Sequence, residues 1–133
     1  MKRVIFLLVG LFVVGCAISP TYTEDQMYKL ALDLKRLAQP VEATVRYDNP
    51  PATTSDIELL KQATVHDPSL LTPFKDYRLR ILRKHRHAVL LLCSKDGKAL
   101  LEDAGCTGEF ESHRWKNQDQ PCEFTLDIDQ VCR

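Results

Sequence analysis

The chain has 133 residues, with 18 basic and 18 acidic side chains, a formal net charge of zero and 44% hydrophobic residues. That length fits one domain with an ordinary apolar core. The balanced charge excludes nucleic acid as the main partner, because phosphate binding draws on a surplus of Lys and Arg.

The first stretch is the most specific. Lys2 and Arg3 make a short positive start, and Val4 to Val14 is apolar apart from one Gly. The run is too short for a membrane span, which needs ~20 residues, so it reads as a secretory signal. Its end, Val13-Val14-Gly15-Cys16, resembles the lipobox of bacterial lipoproteins, with Val13 where that family more often has Leu. The resemblance covers only the signal and its junction. It implies cleavage after Gly15, a diacylglycerol on Cys16 Sγ and an acylated Cys16 amino group, a palmitate-type anchor. Two or more acyl chains hold a protein stably on a bilayer, where one does not. Because Ala17 and Ile18, and no acidic residue, follow Cys16, the resemblance favours the outer membrane, facing the periplasm, in a double-membraned host.

Three parts follow: a signal at 1–15, a lipidated tether at 16–22 and one domain at 23–133. Removing the signal leaves 118 residues and lowers the basic count to 16 against 18 acidic, a net of −2. Thr23 with Gln26 makes a capping box, and Met27, Leu30, Ala31, Leu34, Leu37 and Ala38 recur at helical spacing. A helix is expected over 24–38, stopped by Pro40. Val41, Ala43, Val45 and Tyr47 alternate with polar residues and predict a strand ended by Asp48-Asn49-Pro50-Pro51. Ser55 and Glu58 cap a second helix, with Ile57, Leu60 and Ala63 on its apolar side. Asp67-Pro68 opens a short turn through Leu71, and Pro73 ends it.

The second half changes period. Tyr77, Leu79 and Ile81 alternate with Arg78 and Arg80 as a strand, and residues 83–86 form a turn. His87 to Cys93, the sequence HAVLLLC, predicts a central strand buried on both faces. Asp96-Gly97 marks a hairpin to a partner strand at 98–103. A loop over 105–121 carries Phe110, His113 and Trp115, and 122–128 alternates as a last strand. The expected fold is α+β: two N-terminal helices and a mainly antiparallel sheet of about four to five strands, stapled by disulfides.

Four cysteines follow Cys16: Cys93, Cys106, Cys122 and Cys132. An even number in an exported chain predicts two disulfides. If the last strand ran antiparallel to 98–103, the pairs would be Cys106–Cys122 and Cys93–Cys132. A zinc site would need two cysteines only two to four residues apart, and these gaps are wider. No metal and no cofactor are therefore assigned.

His85 and His87, two residues apart, would share a face on a strand, and with His113 they offer a metal or pocket cluster only if the loop converges on them; otherwise they are two solvated residues flanking a basic turn. Arg78, Arg80, Arg83, Lys84 and Arg86 form the basic cluster. It serves either as a solvated face or as a patch for an anionic surface or partner. Glu102 and Asp103, adjacent on a strand, point to opposite faces and make a poor catalytic pair. No nucleophile elbow, phosphate loop or HExxH helix is present. The expectation is a lipid-anchored, non-enzymatic interaction or structural domain held to the membrane through Cys16, with another envelope protein as partner. The alternative is a small ligand-binding or enzymatic module using the loop 105–121.

Overall fold

The computed structural model describes Gly15, residues 21–109 and residues 119–133. Cys16, Phe110, His113 and Trp115 lie outside the described residues, as do the signal segment and most of the tether. The fold is α+β, with a three-stranded antiparallel sheet between a helical layer and an irregular C-terminal segment. No helix among the described residues is long and apolar enough to cross a membrane.

The first helix, α1, runs Glu24–Ala43 and starts from the expected capping box. Thr23 Oγ1 accepts the Gln26 N–H, and the Gln26 side chain accepts the Thr23 N–H. Pro40 does not stop it. Only a single wide π-helical turn, Thr44–Asp48, separates α1 from Asn49 in the left-handed region at φ 44°. Residues 41–47 are therefore helical and not a strand. Val41 and Val45, read as alternating, are also four residues apart and extend the stripe of Leu34, Leu37 and Ala38 into the core. Burying both valines outweighs the hydrogen bond that Pro40 cannot donate.

Helix α2, Asp56–Ala63, has the predicted Ser55–Glu58 capping box. Of the expected apolar side, Leu60 is buried and Ala63 packs against the core, but Ile57 is not part of it. Leu59 and Leu60 face the core, while Ile57 is 66% exposed. A 3-10 stretch, Pro68–Phe74, runs through Pro73 and seats Phe74 under α1.

The strands β1 (Arg78–Lys84), β2 (His87–Cys93) and β3 (Ala99–Ala104) form the sheet in that order. As predicted, β2 is central, and every residue from Ala88 to Cys93 is fully buried. Ala88, Leu90 and Leu92 pack against the helices. Val89, Leu91 and Cys93 face the opposite way, onto Phe124, Leu126, Ile128 and Cys122. The C-terminal segment is thus the second cover that lets β2 be apolar on both sides.

That segment is not a strand. Among the described residues its one β-type pairing is an isolated antiparallel bridge, Lys98 to Pro121, and it ends in a single helical turn, α3 (Ile128–Val131). Backbone groups that a ladder would pair are taken by a side chain: Glu102, fully buried, accepts the Thr125 N–H at 2.5 Å and the Leu126 N–H at 3.2 Å. After that antiparallel bridge the segment runs in the same sense as β3, with Thr125 beside Glu102 and Cys132 bonded to Cys106. This direction reverses the expected pairing. The disulfides are Cys93–Cys122 and Cys106–Cys132, with Cα separations of 5.8 and 5.6 Å, and all four cysteines are used.

Candidate functional site

The end of the sheet at the β1–β2 turn is where chain geometry and charge coincide. His85 and Arg86 form the two-residue turn, at φ 53° and 61°. Such a turn favours Asn-Gly, and a residue with a Cβ costs roughly 1–2 kcal/mol in this conformation. Strained, non-glycine turns of this kind concentrate where side chains are put to use. Facing the turn is the π-helical segment after α1, which carries Arg46 and Tyr47. π-Helical turns recur at functional sites for a related reason, since they push side chains out of the helical register.

Arg46, Tyr47, His85, Arg86 and His87 line a groove of about 310 Å³. It adjoins a larger cavity of about 550 Å³, which shares His85 and Arg86 and is walled by Asn49, Pro50 and Asp56. Tyr47 is 77% exposed, and the Arg46 guanidinium lies 5.8 Å from its ring centre.

Three carboxylates border these cavities, each with partners of its own. Asp56 Oδ2 accepts the Ile81 N–H at 3.2 Å. Glu42, 6% exposed, accepts the Ala88 N–H at 2.7 Å and lies 2.5 Å from His87 Nδ1. Asp129 pairs with Lys84 and, at 3.2 Å, with His85 Nε2. The Lys84 hydrogen bond and charge lower the Asp129 carboxyl below its ordinary value, and the same contact raises Lys84. Asp48 is exposed but lines neither cavity. Arg46 and Arg86 line the groove with no ion pair of their own among the described residues.

The predicted basic cluster divides. Arg80 lies on the face covered by the C-terminal segment, where it donates to the Cys122 carbonyl at 2.7 Å and sits 5.3 Å from the Phe124 ring centre. Arg83 donates to the Pro50 and Pro51 carbonyls at 3.2 and 3.0 Å, fixing the loop before α2. Lys84 holds Asp129 and so the C-terminal turn. Arg78 is exposed at the far end of β1, across from Cys93. Only Arg86 of the five faces the groove. Alternation over 41–47 gives no sign of Arg46 and Tyr47 as groove residues, because it is the helical path of that segment that brings them to the turn.

His85 and His87 do not share a strand face, since His85 sits in the turn. His87 instead lies with Cys106 and Cys132, their donor atoms all within 4.8 Å of one another. Both sulfurs are joined in the disulfide, so this group is no ready-made metal site.

A third cavity, of about 620 Å³, opens at the start of α1 between Tyr22, Leu30, Pro73 and Tyr77. Burial and the nearby Tyr77 raise the Tyr22 hydroxyl above its ordinary value. No family model, curated protein or solved structure matches this chain.

Proposed function

We propose that the chain is a lipid-anchored envelope domain that acts by binding, and that the groove between Arg46, Tyr47 and Arg86 receives an acidic segment of a partner. The observation that carries this reading is the pair of uncommitted guanidiniums beside an exposed aromatic ring. Arg and Tyr are the residue types that dominate interface energetics, and Arg grips carboxylates two-pronged. The anchor on Cys16 holds the domain to the outer membrane, on the periplasmic side. With α1 about 30 Å long, the groove lies at the far end of that helix from Thr21 and Tyr22, which favours a partner over the headgroups around the anchor.

Two experiments test it. Cys16→Ala should abolish lipid labelling and leave the chain uncleaved or soluble; unchanged labelling would overturn the anchor. Gentle capture from detergent-solubilised membranes should yield a partner that is lost with Arg46→Glu/Arg86→Glu and weakened by salt. Retention of the same partner by that folded variant would contradict the groove.

A further inference from the structure

We propose that Cys106–Cys132 is a thiol-exchange site, opened by a dithiol protein or a small thiol, with His87 as the group that receives the departing sulfur. The two disulfides sit in different surroundings. Cys93 is wholly buried in the sheet and bonds to half-buried Cys122, on the far side of the molecule from the β1–β2 turn. Cys106 and Cys132 are both half-buried, and a His87 ring nitrogen lies within 4.8 Å of each sulfur. His87 also lines the groove, so the ring is reachable from solvent.

The ring is held in place for this role. Its Nδ1 is 2.5 Å from Glu42 Oε1, and the other carboxylate oxygen is fixed by the Ala88 N–H. Gly105, next to Cys106, packs so closely on Glu42 that no side chain fits between them. The carboxylate comes from α1, the imidazole from β2, and the sulfur pair from the residues just after β3 and α3.

The chemistry balances with the thiol alone as reductant. A thiolate RS⁻ attacks one sulfur, the Cys106–Cys132 bond breaks, a mixed disulfide forms and the second cysteine leaves as a thiolate. His87 stabilises that thiolate through an N–H, as histidine does beside reactive cysteines. A second thiol then releases RSSR, and both cysteines end as thiols. The proposal is independent of what the groove binds.

The test uses the full chain in detergent, treated with graded dithiothreitol, quenched with an alkylating reagent and mapped by peptide mass. Cys106 and Cys132 should be labelled roughly tenfold faster than Cys93 and Cys122. His87→Ala, and His87→Gln as a variant that keeps the volume, should slow that opening about tenfold while leaving Cys93–Cys122 unchanged. Ultraviolet thiolate absorbance of the reduced form should fall in both variants. Equal opening of the two bonds in the wild type would overturn the proposal, as would variants that open Cys106–Cys132 at the wild-type rate.

Discussion

Lys35 and Asp103 show how much rests on single polar side chains inside this fold. Their 3.1 Å ion pair is almost wholly buried, and Lys35 Nζ also donates to the Thr107 carbonyl at 2.6 Å. Removing one partner leaves a buried charge, so Asp103→Ala should cost about 3–5 kcal/mol in denaturant unfolding. Gly105 is equally constrained, because a Cβ there would lie 2.6 Å from Glu42 Cβ and 2.8 Å from the Ala38 carbonyl oxygen. Gly105→Ala should therefore destabilise by about 1–3 kcal/mol and disturb the Glu42 contact with His87. Asp129 gives a pH dependence of known sign. Its carboxyl is lowered in the fold by Lys84, so its contribution is present above the ordinary carboxylate value of 3.8 and is lost as pH falls through the lower folded value. Acid titration should release the C-terminal turn from Lys84 in that range, read by amide exchange at residues 128–131. None of these roles was legible in the sequence, because burial of Lys35, Glu42, Glu102 and Asp103 depends on contacts across 45 residues or more for the first two and on the C-terminal cover for Glu102.

At the scale of elements, local signals worked where one pattern had one solution. Both capping boxes, the central strand HAVLLLC and the Asp-Gly hairpin formed as expected, with Gly97 at φ 86°. They failed where one pattern satisfied two periods. Val41 and Val45 fit a strand by alternation and a helix by their spacing of four, and the core under α1 decided for the helix. Pro40→Ala tests this directly. An interior proline costs a helix ~3 kcal/mol, so the substitution should stabilise the chain by about 1–3 kcal/mol and raise Tm. A fall in Tm would mean that Pro40 shapes the π-helical turn behind it. The last segment failed for another reason. Phe124, Leu126 and Ile128 alternate and face the sheet, but Glu102 takes the backbone donors that pairing would use. Glu102→Gln should loosen residues 121–127 in amide exchange while β1 to β3 stay protected.

For the whole molecule, the sheet is a plate covered on one side by helices and on the other by a segment that has little regular structure. That cover is held by two disulfides spanning 29 and 26 residues, each adding ~3–4 kcal/mol through the unfolded chain. Without them, Val89, Leu91 and Cys93 would be exposed to water, so full reduction should cause cooperative loss of structure. The sequence announced two disulfides but could not pair them, since the pairing follows from the direction in which the cover crosses. The same arrangement pins the C-terminal turn under the β1–β2 turn through Lys84, His85 and Asp129, and so steadies the groove. The measurement that bears most directly on that groove is photo-crosslinking in intact cells, with the crosslinker placed at Tyr47 and, as a control, at exposed Gln62 on α2. One adduct is expected from Tyr47, absent from Gln62 and lost when Arg46 and Arg86 are both changed to Glu. The same adducts from both positions, or a Tyr47 adduct that survives the charge reversal, would contradict binding at the groove.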